Sequence, residues 1–289
     1  MSSSGRAVLR GGNRMKLRVA GIRRNACYSP NQVTNDGLIL LKTAEELIRL
    51  GVDCRLYEEK NIHEAGIHED VIFTMARGYE ALKDLERWEQ EGRLIINSPQ
   101  ASLNCYRVNM VERFKKAGFP FPDSKIVTTH AHEHLRVADV GERKVWVKRG
   151  DVHAVHREDV CPVYGDEELN FTLKEFARRG IKDAVLQEHI HGDVIKFYAV
   201  RGTDFFRWYY HNDNSDYPLD VNRLKGLSQL SAEIMGLHIY GGDAIVSADG
   251  NITVIDINDW PSFALFRDEA SRYIAISILS AARKFTGMR

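Results

Sequence analysis

Near the C-terminal end, two apolar runs flank the dipeptide Asp249-Gly250, and no other stretch constrains the fold as tightly. They are Gly241-Gly242-Asp243-Ala244-Ile245 and Val254-Ile255-Asp256-Ile257-Asn258-Asp259-Trp260-Pro261. Asp-Gly between apolar runs is a hairpin turn signal, so the two runs are expected to pair as antiparallel strands. Side chains on a strand alternate between faces, which puts Asp256 and Asn258 on the same one. Antiparallel pairing brings Asp243 near them. A strand buried on both faces would not carry such groups without partners. Two carboxylates and an amide oxygen on one face form an all-oxygen donor set. That is the chemistry that holds magnesium together with substrate phosphates.

Overall charge offers no competing signal. The 289 residues carry 40 basic and 40 acidic side chains, so no net field argues for nucleic acid or a membrane as partner. The length suits one large domain or two to three smaller lobes around a cleft. No apolar run approaches the ~18–20 residues needed to span a bilayer. Cys27, Cys54, Cys105 and Cys161 lie far apart and in no metal-type spacing, as expected of reduced thiols in a cytoplasmic protein. Residues 1–15 contain no acidic residue and no apolar signal core, so a disordered leader is expected there. Met15, just before the first strand, is a candidate start.

Strand and helix patterns alternate from residue 16 to 98. Leu17-Arg18-Val19-Ala20-Gly21-Ile22 reads as a strand. Leu40, Leu41, Ala44, Leu47 and Ile48 recur at helical spacing, with Gly51 as the stop. Strands over 52–57, 71–75 and 94–96 and a helix over 79–91 follow. Such alternation implies a parallel sheet with helices on its faces. Asn97-Ser98-Pro99 breaks the pattern, a helix is expected over about 100–117, and Phe119-Pro120-Phe121-Pro122 is an extended link. Beyond it strands dominate, at 124–128, 145–148, 184–189, 194–200 and 205–210. Helices are expected at 220–236 and 266–285.

In this order the pieces resemble the ATP-grasp superfamily over residues 16–285, nearest to two branches. One is the ribosomal-protein S6 modification type of carboxylate–amine ligase and the other is the inositol trisphosphate 5/6-kinase type. The resemblance implies an α/β N-terminal lobe, a parallel sheet with helices, followed by two α+β lobes clamping ATP. The divisions expected are 1–15 leader, 16–98 first domain, 99–185 first ATP-grasp lobe, and 186–289 second lobe with the metal site. ATP and magnesium are the implied cofactors, with manganese as an alternative ion.

The resemblance also implies site residues. Asp243, Asp256 and Asn258 match the metal ligands. Lys148, in Val145-Trp146-Val147-Lys148, matches a lysine that reaches the ATP phosphates, and Arg107 stands where the family often has a second lysine. Gln187, Glu188, His189 and Ile190 match the hinge whose backbone reads the adenine edge. Lys196 matches a strand cation facing the phosphates or substrate, and is implied as catalytic together with Lys148. Gly150-Asp151-Val152-His153-Ala154-Val155-His156 stands where the family has a loop closing over the phosphates. His153, His156, Lys196, Arg207 and Ser262 are the implied substrate contacts, with Arg157 and Arg201 in the same cationic cluster.

Two chemistries stay open at this point, with the ligase the first reading because ligases are the larger share of the superfamily. A carboxylate attacking the γ-phosphate gives an acyl phosphate that an amine captures, as in a peptide-type ligase. A hydroxyl attacking it gives a phosphate ester, as in a small-molecule kinase, and Asp256 in place of the glutamate of many ligases favours that branch. A nucleotide-binding module without turnover is the third alternative. The acceptor is expected to be an anionic small molecule or peptide, and a homo-oligomer is compatible with the family.

Overall fold

The computed structural model describes residues 17–29, 32–130, 135–152, 156–211 and 217–287. The expected leader, Met15 and His153 lie outside the described residues. Four parallel strands open the chain: β1 (Arg18–Arg23), β2 (Asp53–Glu58), β3 (Val71–Thr74) and β4 (Leu94–Ile96), in spatial order β2-β1-β3-β4. Helices α1 (Val33–Arg49) and α2 (Tyr79–Gln90) flank this sheet. The order reverses between β1 and β3. In open parallel sheets the crevice at the carboxyl ends of such strands is where ligands sit. Arg24 and Arg77 stand just beyond those two ends.

The segment expected as one helix over 100–117 is two helices, α3 (Pro99–Asn104) and α4 (Arg107–Ala117). Ser98 caps α3 by accepting from the Ala101 N–H, and Pro99 starts it. The break falls at Tyr106, whose backbone is extended because its hydroxyl reaches back to donate to the Arg77 carbonyl at 2.8 Å. This reset makes Arg107 the first residue of α4. Helical periodicity alone does not show such an interruption, because both halves keep an apolar face.

A second sheet follows, with β5 (Ser124–Thr128), β6 (Val145–Arg149), β7 (Val160–Val163) and β8 (Asp183–Glu188) in order β5-β8-β6-β7, all neighbours antiparallel. Strand β7 and helix α5 (Asp166–Arg178) were not among the expected elements. The signal for α5 was present. Asp166, Glu167 and Glu168 fill its first turn, and Leu169, Leu173 and Phe176 recur on its buried face. Those three residues close a core over Val145, Val147, Ala184 and Leu186.

The third sheet contains β9 (Asp193–Val200), β10 (Phe206–Tyr210), β11 (Ile239–Val246) and β12 (Ile252–Asp259) in order β10-β9-β11-β12, again antiparallel. Its back face packs on α3, α4 and α6 (Val221–Met235) through Ala101, Phe114, Leu224 and Met235. The last helix, α7 (Arg267–Thr286), returns to pack beside α1, so the core of the first sheet takes Ile274, Ala275 and Ile278 from the end of the chain. The hairpin β11–β12 forms as its Asp-Gly signal implies. Gly242 lets the two strands and Phe197 close up. A Cβ there would meet the Asp256 carbonyl oxygen at 2.4 Å and the Phe197 ring at 2.5 Å.

Candidate functional site

One residue of β12 is extra. Asp243 pairs with Asp256 but Ala244 pairs with Val254, so Ile255 is left as a bulge. A bulge locally re-aims the strand and frees backbone groups. The Ile255 carbonyl lies 3.5 Å from the Lys148 amine, and Asp243 and Asp256 end up side by side on the front of the sheet. Register extends this row. Lys196 on β9 lies opposite Asp243 and Tyr209 on β10 opposite Lys196. A second row runs through Arg207, Tyr198, Gly241 and Asn258.

A cleft of about 310 Å³ lies between the second and third sheets. Its lining includes Arg107, Lys148, Gln187, Glu188, His189, Ile190, Asp243 and Asp256, together with Trp146, Val160, Val194, Ile245 and Ile255. Lys148 is 7 % exposed. Its amine donates to the Gln187 side-chain oxygen. Burial pushes its pKa down from 10.5 to about 8, only partly opposed by the Asp256 carboxylate. A shift of this size amounts to roughly 3 kcal/mol against the charged form, a cost that an anion in the cleft would remove.

The other charges are matched more closely. Lys196 donates to Asp243 at 2.7 Å. Burial alone would lower the Lys196 pKa, but the Asp243 carboxylate outweighs it and the net direction is up. Arg107 approaches Asp256 at 3.8 Å and the Arg149 carbonyl at 3.5 Å, while its Nε is buried without a partner. The Asn258 amide nitrogen turns toward Asp256 at 3.3 Å, which directs its oxygen away. At the cleft rim the Trp146 indole N–H donates to His189 Nδ1 at 3.1 Å. Burial and the Lys144 charge push His189 below the ordinary histidine value, so at neutral pH it accepts that bond as an uncharged ring.

Among the described residues no three His, Cys, Asp or Glu side chains gather into a metal site of their own. The neighbouring carboxylates of Asp243 and Asp256 suit a magnesium ion that takes its remaining ligands from phosphate and water, and the Asn258 amide would have to turn its oxygen toward them to join. The residues present fit that ion.

The structure therefore brings Arg107, Lys148, the 187–190 segment, Asp243 and Asp256 to one cleft, with Lys196 and Asn258 beside the carboxylates. It does not gather the expected cationic cluster. His156 is exposed and its backbone N–H is held by Asp159 at 3.0 Å. Arg207 is paired with Glu269 of α7. Arg201 falls in the turn after β9 and lines a different cavity. Lys196 and Arg207 share the front face of the third sheet by register, whereas Arg201 lies in the turn beyond β9. Ser262 sits in a turn held on both sides by fully buried aromatics, Trp260 and Phe263, both at positive φ (41° and 50°). Trp260 stacks on Phe73 at 5.9 Å and Phe263 lies 5.3 Å from Tyr198, contacts that offset the unfavourable backbone.

Two groups of residues were not anticipated. Trp146 shares a face with Lys148 because the two are two apart on β6, and that spacing could have flagged it. The second group ties the first sheet to the end of β12. Fully buried Asp259 accepts from Arg77 and Ser102, while Arg24 bonds Asp36 at 2.8 Å and the Trp260 carbonyl at 3.1 Å. The contacts to Asp259 and Trp260 span more than 150 residues of sequence and have no local signature.

Solved structures of similar fold match over nearly the whole chain. D-alanine–D-alanine ligase from Bacillus anthracis, complexed with ATP, matches at TM-score 0.69 and 13 % identity, over 94 % of this chain and 100 % of that one. The chain has the ATP-grasp fold. A RimK-domain ATP-grasp protein from Sphaerobacter thermophilus matches at TM-score 0.66 and 16 % identity, over 91 % of this chain and 99 % of that one. The ATP-grasp ligase PsnB, complexed with a minimal precursor, matches at 0.60 and 16 %, over 92 % and 99 %. No protein-family model and no curated protein sequence matches the chain. The ATP-grasp likeness is thus carried by three-dimensional arrangement at sequence identities where side chains have largely diverged.

Proposed function

We propose that the protein is a magnesium-dependent ATP-grasp enzyme, a carboxylate–amine ligase working through an acyl phosphate. The observation that carries this is Lys148, a buried amine that donates to the Gln187 side chain in the same cleft as Asp243 and Asp256. A cleft with a cation in its wall and carboxylates on its floor suits a polyphosphate that carries its own metal ion. Trp146, Ile190, Val194 and Ile245 supply apolar walls for the base, and the 188–190 backbone its polar edge. Asp243, Asp256 and Asn258 would hold the magnesium, which supplies charge neutralisation at the phosphates. Lys148 and Arg107 offset the remaining negative charge. Catalysis then rests on positioning and electrostatic stabilisation.

In the reaction proposed, a carboxylate oxygen attacks the γ-phosphorus and ADP leaves. An amine nitrogen then attacks the acyl carbon, and phosphate departs with the bonding pair and takes up the proton the nitrogen loses. Lys196 and Ser262 are the described residues proposed to meet the acceptor. The ligase names of the structural neighbours favour this chemistry. Asp256, where many ligases of the resemblance have glutamate, keeps phosphoryl transfer to a hydroxyl as the second reading.

Hydroxylamine tests the choice. With ATP, magnesium and a panel of amino acids, small acids, peptides and inositol phosphates, a ligase forms a hydroxamate from its carboxylate substrate. ADP release with a phosphorylated product and no hydroxamate assigns a kinase. ATP binding without ADP release on any acceptor assigns a binding module.

A further inference from the structure

The third sheet has a second cavity on its other face. It measures about 360 Å³ and lies between α6 and the β9–β10 turn, in the size range of small-molecule sites (roughly 300–1,000 Å³). Its floor is one row of side chains in register across three strands: Phe206, Ala199 and Tyr240. Tyr240 is 2 % exposed and Ala199 5 %. Tyr240 is three residues from Asp243 on β11, so the two point to opposite faces of the strand. A ligand here packs on the back of the strand whose front carries the candidate metal site.

The rim is polar and asymmetric. Arg201 stands on the turn and Lys225 on α6. Among the described residues no ion pair joins either to a carboxylate. Glu233 lies two turns further along α6, about 12 Å from Lys225 along the helix axis. The turn is already closed: Thr203 Oγ1 donates to the Val200 carbonyl at 2.8 Å and the Arg201 N–H to the His238 carbonyl at 2.7 Å. A formed turn spares a ligand the cost of ordering it.

We propose that this cavity is a second ligand site, separate from the nucleotide cleft, for a small organic monocarboxylate. Arg201 and Lys225 take the carboxylate, and the apolar body rests on Phe206, Ala199 and Tyr240. Glu233 disfavours a second acidic group at the far end.

Benzoate and its neutral counterpart benzamide serve as probes, titrated into the full ¹⁵N-labelled chain without nucleotide, so that the outcome is independent of ligase chemistry. The expected result is saturable benzoate shifts at the Gly202, Thr203 and Lys225 amides, with benzamide at least about tenfold weaker, as loss of a charge-assisted bond implies. The double variant Arg201→Gln, Lys225→Gln alters only rim side chains. It is expected to keep the wild-type Tm and to lose benzoate affinity by a similar factor. The proposal is overturned by equal binding of benzamide, by unchanged affinity in the double variant, by shifts confined to cleft amides such as Gln187 and His189, or by no saturable shift.

Discussion

Burial holds the Lys148 amine at about 8 in the folded chain, whereas the unfolded chain returns it to 10.5. Between these values the unfolded state binds more protons, so stability rises with pH across that window, and below it the buried ammonium is a standing cost. A phosphate beside the amine raises its pKa again. ATP binding should therefore take up a proton at pH values just above 8, and affinity should fall as pH rises through that region. Calorimetry in two buffers of different ionisation enthalpy checks the uptake. Lys148→Met should weaken ATP at least about tenfold at pH 7, the worth of a hydrogen bond to a charged group, and should abolish the uptake. An unchanged pH profile in that variant would refute the assignment. Lys148 was visible in the sequence through its match to the family's strand lysine, and Asp243 and Asp256 as carboxylates in apolar runs. Trp146 was not, since an aromatic on a strand is the ordinary core residue.

Elements differ in how much their own residues specify. The hairpin β11–β12 announced itself through Asp249-Gly250, but its bulge at Ile255 did not, because a bulge depends on how the partner strand sits. Gly242→Ala tests the close approach that the bulge accompanies. Its Cβ would strike the Asp256 carbonyl and the Phe197 ring. A loss of about 1–3 kcal/mol or more is expected in urea unfolding, as for overpacked cores. Gly250→Ala is the control. It has φ 78° but no atom within 4 Å, so only the backbone cost applies, about 1 kcal/mol. Equal losses in the two variants would refute steric crowding as the reason for Gly242. The division of 100–117 into α3 and α4 likewise depends on a distant group, the Arg77 carbonyl that Tyr106 reaches.

At the scale of the molecule, Asp259 joins the first sheet to the strand that carries the site. It is fully buried, with Arg77 at 3.0 Å and Ser102 at 3.1 Å. Asp259→Ala leaves a buried arginine without its carboxylate, which should cost about 3–5 kcal/mol. Denaturant unfolding reads this directly, and a loss below 1 kcal/mol would show the joint to be dispensable. Asn97 forms a similar weld, accepting from the His238 and Ile239 N–H groups and donating to the Ile239 carbonyl. The sequence by itself determined the alternation of elements in the first sheet, the hairpin, and Asp243 and Asp256 as carboxylates in apolar runs. Each of these follows from the period of a local element or from a polar group in an apolar run. Only the tertiary structure decided which cations share a face, where the cleft closes, and how Arg24, Arg77 and Asp259 lock the first sheet to the third. Those depend on strand register and on contacts between residues far apart in the chain, for which local periodicity carries no information.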